Sequence, residues 1–479
     1  MKKEMPNPIS RKKFISTTAA AAAAFTIIPR RVLGGQGFVP PSEKINLAMI
    51  GVGGQGNVDL GAFLGMTDVQ VVAVADPYRF CDYSHVYFGG VKGWEPTQQR
   101  INENYASAQG MGSYSGCEAY VDFYELLEEE SDIDAISVAT TDNLHAFAAM
   151  AGIRRGKHVY CQKPLTHDIW EARQLTLAAR EAGVITQMGN QGHAGNGNRQ
   201  IKEWVQDGAI GNVYEVHIWT NRPIDNWPQG VGCPAETMPV PDGLDWDRWI
   251  GPAPYRPYNE IYLPFYWRGR IDFGTGVIGD MACHLMDTPH YVLDLPHPDK
   301  VQATSTPIID NETYPSASLI DFEFPSVNGK PRVNVTWYDG GLKPKRPEVL
   351  EDGRRMPTSG VIMVGDRGSI MCSDYGNQPR IIPETAMQAY QTPTESIPRI
   401  QGGIYRNFID GIRTGVKPTS NFDVSGPLTE FGLLGNFALF AQNANMPLEW
   451  DADAMRVTNY DAVNRYVRRE YREGWRLDA

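Results

Sequence analysis

The chain has 479 residues, 42% of them hydrophobic, and is long enough for two or three domains that each bury a core. Its 44 basic and 56 acidic residues give a formal net charge of −12. This charge argues against nucleic acid and anionic membranes as partners, and it favours a small neutral molecule.

Residues 1–36 differ from the rest of the chain and form a predicted export signal. They carry seven basic residues against one acidic residue, Glu4, and an apolar stretch over 19–28 that is too short to span a bilayer as a helix. The sequence SRKKF resembles a twin-arginine export motif with Lys12 in place of the second arginine. We therefore expect a periplasmic protein without membrane insertion after signal removal. The alternative is a basic tail on a cytoplasmic protein.

Residues 44–192 alternate short apolar segments with helical patterns, which is typical of a parallel sheet covered by helices on both faces. The apolar segments are INLAMI, VQVVAVAD, AISVAT, HVYCQ and VITQMG. Directly after the first of them, Gly51, Gly53 and Gly56 form the GxGxxG pattern of a dinucleotide-binding turn. Such glycines let the backbone approach a pyrophosphate at the positive end of the next helix. The alternative is a plain strand-to-helix turn.

Asp76 ends the second predicted strand, twenty residues after Gly56. A carboxylate at this place accepts the ribose hydroxyls of NAD and repels the 2′-phosphate of NADP, so we predict NAD as the cofactor. Arg79 keeps NADP as the alternative, because it lies close enough to accept a phosphate. The other predicted cofactor contacts lie in the same turn and near the ends of later strands: Gly54, Gln55, Thr140, Asn143, His145, Gln162, Lys163 and Asn190.

Residues 193–479 change in character, because strand-like segments such as VYEVHIWT, ASLIDFEF and RVNVTWYD now follow one another with few helices between them. We predict an α+β domain with a large, mostly antiparallel open sheet, closed by helices at its C-terminal end. Long loops between residues 222 and 270 are the predicted functional insertion.

The segment DFGTGVIGDMACHLMD places Asp280, His284 and Asp287 on one face of a helix. They are ligands of a metal, parts of a catalytic site, or a buried structural network. A metal site would need more ligands, and nearby His290 without a second motif is weak support. The six cysteines show no CxxC pair, so neither a zinc site nor a disulfide framework is readable, and most are predicted to be buried thiols. We predict no metal and leave the structural network as an alternative.

The GxGxxG turn, TTDNLH, the Lys-Pro pair of QKPL, MGNQGH and GDMACHLMD together resemble the glucose-fructose oxidoreductase, inositol dehydrogenase and MocA family (Gfo/Idh/MocA). The resemblance covers nearly everything after the signal. The chain is similar to an exported branch of this family that is common in Bacteroidetes-type bacteria. It implies a Rossmann domain followed by an α+β domain, a homo-oligomer such as a dimer or tetramer, and action on sugar or cyclitol hydroxyls. It also makes Lys163, Asp280 and His284 the catalytic residues. Gln162 replaces the family's usual glutamate, which puts the tuning of Lys163 in doubt.

The resemblance suggests a mechanism in which His284 accepts the proton of a sugar hydroxyl, Lys163 polarises the oxygen, and Asp280 orients substrate or imidazole. An imidazole suits this role because its ordinary pKa, ~6.5, lies near working pH. The predicted substrate contacts are His193, Asn221, Arg222, Trp267, Asp280 and His284. At most two tryptophans are expected to touch a sugar, among Trp219, Trp227, Trp246, Trp249 and Trp267.

An exported enzyme has no pool of free NAD, so its cofactor has to be held tightly and recycled in place. We expect an NAD-dependent oxidoreductase that acts on a ring hydroxyl of a sugar or glycoside and produces a 3-keto sugar. One alternative is a redox-neutral glycosidase or lyase that resembles the NAD-dependent family 109 glycoside hydrolases. The other is a non-catalytic protein that binds a sugar or a cofactor.

Overall fold

The computed structural model describes residues 39–223, 227–327 and 329–477. The predicted export signal at residues 1–36 lies outside the described residues. The predicted fold class is confirmed: a parallel α/β domain comes first, and an α+β domain with a large open sheet follows it.

The first domain is built on a six-stranded sheet in which every pair of neighbours is parallel. Its strands are β1 Ile45–Ile50, β2 Val69–Ala75, β5 Glu118–Tyr120, β6 Ala135–Val138, β7 His158–Cys161 and β8 Thr186–Met188, and a separate two-stranded ribbon consists of β3 Cys81–Asp82 and β4 Val91–Lys92. The order across the sheet is β5-β2-β1-β6-β7-β8. Because the chain runs outward in opposite directions from β1, the carboxyl ends of β1 and β6 flank the crevice where doubly wound sheets bind ligands.

Five helices connect these strands: α1 Gly54–Leu64, α2 Trp94–Gln109, α3 Phe123–Glu129, α4 Asp142–Arg154 and α5 Ile169–Ala182. The start of α5 is defined by a capping box, in which Asp168 and Glu171 each bind the backbone N–H at the other's position. The sequence analysis did not predict strand β5. With only three residues, this strand is too short to show a recognisable pattern of apolar residues.

The second domain contains a nine-stranded sheet with the order β15-β14-β13-β9-β12-β11-β10-β16-β17. The strands are β9 Val213–Trp219, β10 Lys300–Ser305, β11 Ser318–Phe324, β12 Val333–Tyr338, β13 Gly360–Gly365, β14 Gly368–Ser373, β15 Arg380–Ile382, β16 Leu448–Asp451 and β17 Arg456–Val457. All neighbouring pairs are antiparallel except β9 and β12. The C-terminal region therefore adds two short strands to the sheet, beyond the helices that were predicted there.

The helices of this domain are α6 Asn196–Gln206, α7 Trp246–Ile250, α8 Gly276–Leu285, α9 Asp287–Leu293, α10 Glu384–Ala389, α11 Gly403–Thr414 and α12 Phe422–Phe440. Helix α12 packs closely on α8, because a Cβ atom on Gly432 would lie only 2.8 Å from the Cβ of Ala282. This contact fixes α8, which carries Asp280 and His284, against the core. Among the described helices, none combines the length and apolar character needed to cross a membrane.

Candidate active site

A cavity of about 700 Å³ opens at the carboxyl edge of the parallel sheet, between the two domains. The first domain contributes the turn after β1, the end of β2, the loop after β6 and the segment after β7. The second domain contributes helix α8, the segments 263–268 and 373–375, and the side chains of Asn221, Arg222 and Trp227. The cavity is thus bounded on one side by the glycine-rich turn and on the other by the helix with Asp280 and His284.

The glycine-rich turn has the conformation that a dinucleotide-binding turn requires. Gly51 has a φ of +81°, and a Cβ atom on it would lie 2.6 Å from the carbonyl group of Ala139 on the neighbouring strand end. Helix α1 begins three residues later at Gly54, so its unpaired N–H groups and its positive end face the cavity. The residues of this turn therefore fit the pyrophosphate of a dinucleotide.

Asp76 follows β2 and lies at the edge of the same cavity. One carboxylate oxygen accepts the Val52 N–H at 2.9 Å and the other accepts the Tyr78 N–H at 2.9 Å, which fixes the side chain and leaves a lone pair on each oxygen. Burial raises the pKa of Asp76 to about 6, against the effect of these hydrogen bonds. Arg79 points elsewhere and pairs with Glu95 at 2.6 Å, so the geometry fits the ribose hydroxyls of NAD.

Gln162, which replaces the family's usual glutamate, has a specific partner in this chain. Its Nε2 donates to both carboxylate oxygens of Asp59, at 3.0 and 2.9 Å. Asp59 lies on α1 beneath the glycine turn, is fully buried, and also accepts from Gln55 at 2.9 Å and from the Tyr405 hydroxyl at 2.8 Å. Burial raises the pKa of Asp59 to about 6. A carboxyl group is therefore retained near position 162, but it is supplied by Asp59 of helix α1.

Lys163 and Asp280 form an ion pair at the centre of the cavity, with 2.8 Å between Nζ and Oδ1. The other oxygen of Asp280 accepts from Arg268 at 2.5 Å. Burial alone would raise the pKa of Asp280, but Lys163 and Arg268 hold it below its ordinary value. The guanidinium of Arg268 stacks 4.7 Å from the ring of Phe265 and 4.6 Å from that of Trp267. Asp280 is thus a carboxylate held between two cations.

His284 lies one helical turn beyond Asp280 and is 5% exposed. Burial, followed by the charge of Lys163, lowers the pKa of His284 to about 3, so the imidazole is neutral at ordinary pH. Its Nδ1 is buried and has no hydrogen-bond partner among the described residues. The ring of Tyr375 packs edge-on against the imidazole at 4.8 Å. The ordinary pKa on which the sequence argument relied therefore does not apply to His284 in the folded protein.

Most of the predicted site residues line this cavity. Those that do are Gly51, Gly53, Gly54, Gln55, Asp76, Thr140, His145, Gln162, Lys163, Asn221, Arg222, Trp267, Asp280 and His284. Of the tryptophans, Trp227, Trp249 and Trp267 are cavity residues, whereas Trp219 and Trp246 are buried, with their Nε1 atoms bonded to the carbonyls of Pro357 and Arg256.

Four predicted contacts do not line the cavity, because each is committed to packing or to a structural hydrogen bond. Gly56 packs against the carbonyl of Gly51 inside the turn. Asn143 accepts from Thr141 at 2.6 Å and donates to the carbonyl of Ile250 at 2.9 Å, and Asn190 accepts from Ser420 at 2.6 Å. His193 is buried against Asp287, with 2.7 Å between Nδ1 and Oδ1.

The three polar residues of the motif DFGTGVIGDMACHLMD therefore have two different environments. Asp280 and His284 face the cavity, and Asp287 belongs to a buried network with His193 and Asn198. Within the described parts of the chain, no group of three or more His, Cys, Asp or Glu side chains is arranged to hold a metal ion. All six cysteines, which lie within those parts, are free thiols, and five of them are buried.

The sequence analysis missed three side chains of the site: Asp142, Arg268 and Tyr375. Asp142 begins α4 and accepts from the backbone N–H of Thr275 at 3.0 Å and from its hydroxyl at 2.7 Å. Thr275 directly precedes α8, so Asp142 fixes the start of the helix that bears Asp280. Burial raises the pKa of Asp142 to about 7. The TTDNLH motif offered a signal for Asp142, whereas Arg268 and Tyr375 lie in short 3-10 turns, Tyr266–Gly269 and Asp374–Gly376, without a recognisable sequence pattern.

This fold and site define a two-domain α/β protein with an NAD-binding Rossmann domain. Two family models match the chain: residues 97–190 match "Oxidoreductase family, NAD-binding Rossmann fold" and residues 195–315 match "Oxidoreductase family, C-terminal alpha/beta domain". Residues 97–190 and 195–315 thus match the two domains of the Gfo/Idh/MocA oxidoreductase family, an NAD-binding Rossmann domain and a C-terminal α/β domain.

Similar proteins include enzymes that are named for sugars and cyclitols. A 1,5-anhydro-D-fructose reductase of Ensifer adhaerens is 30% identical over 40% of this chain, and the match spans less than half, 45%, of that relative. A scyllo-inositol 2-dehydrogenase (NADP(+)) of Bacillus subtilis is 23% identical over 61% of this chain and 73% of the relative. The solved structure of the WlbA dehydrogenase of Bordetella pertussis, in complex with NADH and UDP-GlcNAcA, has a TM-score of 0.53 at 16% identity and covers 86% of this chain and all of that one. The last likeness concerns the fold alone.

Proposed function

We propose that the protein is an NAD-dependent oxidoreductase that acts on a ring hydroxyl of a sugar or glycoside and forms a keto sugar, with C3 as the expected position. The observation that carries the proposal is that Lys163, Asp280 and His284 share one cavity with the dinucleotide turn and Asp76. NAD, when bound at that turn, supplies the hydride acceptor. The names of the similar sugar and inositol enzymes support the substrate class.

The side chains of the site divide the work on the hydroxyl group. The neutral imidazole of His284 accepts the hydroxyl proton. Lys163 donates a hydrogen bond to the oxygen as negative charge develops on it. Because Arg268 also pairs with Asp280, Lys163 can turn toward the substrate without leaving a buried carboxylate unpaired. The aromatic rings of Trp267 and Tyr375 border this region and offer flat faces to a sugar ring.

The proposal is tested with His284→Ala and Lys163→Ala, each assayed against a panel of sugars and glycosides for keto-sugar and NADH formation. Loss of a positioned acid or base lowers turnover by about 100-fold or more, so both variants should be nearly inactive. NAD binding, measured by calorimetry, should persist in both, which excludes loss of the cofactor as the cause. Turnover at the original rate in both variants would show that these residues are not the catalytic groups.

A redox-neutral glycosidase or lyase that uses the same residues is the second candidate. It requires a further acid or base at the cavity, and Asp142, with its pKa raised to about 7, is such a group. Glycosides separate the two candidates: release of the aglycone without net NADH supports the glycosidase, and accumulation of keto sugar with NADH supports the dehydrogenase. Binding of sugar or NAD without either product would instead support the non-catalytic alternative.

We also propose that the protein is exported to the periplasm, retains its cofactor and assembles as a dimer or tetramer. The basic, apolar segment at residues 1–36 supports export, and the absence of free NAD outside the cytoplasm makes retention necessary. Cell fractionation with and without a functional twin-arginine pathway tests the location. A protein that stays in the cytoplasm in both strains would contradict export. Light scattering of the purified chain gives the oligomeric state.

A further inference from the structure

A short strap crosses the glycine-rich turn of the cofactor site. We define the strap as residues 81–92, which comprise the ribbon strands β3 and β4 and the loop that joins them. Its side chains Tyr83 and Phe88 press on the turn. A Cβ atom on Gly53 would overlap the Tyr83 hydroxyl group, and one on Gly54 would lie 2.5 Å from the ring of Phe88. Both glycines are therefore already covered by the chain itself.

Gly53 is the second glycine of the GxGxxG pattern, which lacks a side chain so that a pyrophosphate can come close to the backbone. In this structure the Tyr83 hydroxyl fills that space. Burial raises the pKa of this hydroxyl, and the nearby backbone N–H of Gly54, the first residue of α1, opposes the shift. Free N–H groups at a helix start are the ones that bind phosphate oxygens. The Tyr83 oxygen thus takes the place of a phosphate oxygen.

The strap also reaches the second domain through aromatic contacts. The rings of Tyr87 and Phe88 lie 5.3 and 6.3 Å from the ring of Phe265, which in turn lies 6.3 Å from that of Trp227. Tyr87 is 75% exposed and lines the cavity, so little protein covers this part of the strap. The strap thus contacts the second domain through these rings, while its residues Cys81 and Val86 are anchored in the core.

We propose that Tyr83 and Phe88 are determinants of cofactor affinity: they occupy the pyrophosphate position in the free protein and leave it when the dinucleotide binds. This inference rests on the proposed function, since it takes the glycine turn as the NAD site. Displacing the strap costs free energy that is subtracted from the binding free energy of the dinucleotide. The cost applies only to ligands that carry the pyrophosphate.

The test measures binding of ADP-ribose, NAD and adenosine to the full-length, cofactor-stripped protein by calorimetry, and follows the binding rate by tryptophan fluorescence. The variants are Tyr83→Ala, Phe88→Ala and Tyr83→Phe, which keeps the ring and removes only the hydroxyl. Val91→Ala is the matched control, because Val91 is an exposed side chain of the same strap that does not line the cavity. Thermal unfolding confirms that each variant is folded.

Tyr83→Ala and Phe88→Ala should bind ADP-ribose about 5-fold more tightly and more rapidly than the original protein, with Tyr83→Phe in between. Adenosine affinity should be unchanged in these variants, and the Val91→Ala control should bind all three ligands as the original protein does. If the original protein binds ADP-ribose and the two alanine variants bind it equally or more weakly, the strap inference is overturned while the proposed cofactor site stands. If neither the original protein nor any variant binds NAD or ADP-ribose, both the proposed function and the strap inference fail.

Discussion

Replacing Gln162 with glutamate should destabilise the protein in a pH-dependent way. The native amide donates two hydrogen bonds to the buried carboxylate of Asp59, at 3.0 and 2.9 Å. A glutamate donates neither of them when ionised, and a hydrogen bond to a charged group is worth about 1.5–3 kcal/mol. Two carboxylates about 3 Å apart also repel each other, with a ceiling of about 5 kcal/mol at an effective dielectric constant of 20.

The pair can escape this repulsion by sharing a proton, which raises its pKa above the value of about 6 that burial gives Asp59 alone. We therefore expect Gln162→Glu to lower the free energy of unfolding by about 3 kcal/mol at pH 8 and by much less at pH 5.5. Urea denaturation at the two pH values measures the difference.

The reversed pair provides a matched control, because Asp59→Asn together with Gln162→Glu restores one amide and one carboxylate. This double variant should recover most of the stability that Gln162→Glu loses at pH 8. Equal stability of Gln162→Glu and the original protein at pH 8, or no recovery in the double variant, would refute the account of why a glutamine stands at this position.

Three further changes test other parts of the site. The Asp142 carboxyl keeps its proton in the folded protein until about pH 7, whereas the unfolded chain releases it near pH 4. The original protein therefore loses stability as pH rises from about 4 to 7, and Asp142→Asn should gain at most about 4 kcal/mol relative to it over this range. A difference in urea denaturation that does not depend on pH would contradict this. Asp76→Ala should reduce the preference for NAD over NADP at least about tenfold in binding assays. Arg79→Ala should leave this preference unchanged, since Arg79 pairs with Glu95. An unchanged preference in Asp76→Ala would argue against the contact between Asp76 and the ribose. Gly432→Ala should cost about 1–3 kcal/mol through overpacking between α8 and α12, and an unchanged melting temperature would show that these helices separate easily.

The parts of the fold that the sequence predicted are those with local signals. Near-continuous apolar strands identified the parallel sheet, because strands covered on both faces leave no room for polar positions. The GxGxxG turn and Asp76 lie at fixed distances along the chain, and Asp280 and His284 lie one helical turn apart. Each relation is set by backbone geometry within a short segment, so the residue pattern alone was sufficient to find it.

The parts that the sequence did not predict depend on contacts between distant segments. Gln162 meets Asp59 across 103 positions of the chain, and Arg268 reaches Asp280 from a loop without a motif. His193 stands in a motif of polar residues, yet its ring turns inward to Asp287. The low pKa of His284 results from burial, which is a property of the folded protein and not of the helix that carries the residue.

The most direct measurement of the central claim uses sugars and glycosides deuterated at every ring carbon. The protein is incubated with NAD and each compound, and the released cofactor is examined by mass spectrometry for deuterium on the nicotinamide ring. The account predicts deuterium on the nicotinamide ring together with accumulated keto sugar for the original protein, and neither for His284→Ala, whereas a redox-neutral enzyme returns the deuterium to the sugar and leaves the cofactor unlabelled. A keto sugar that accumulates while the cofactor stays unlabelled, or a panel in which no compound is changed at all, would contradict hydride transfer at this site.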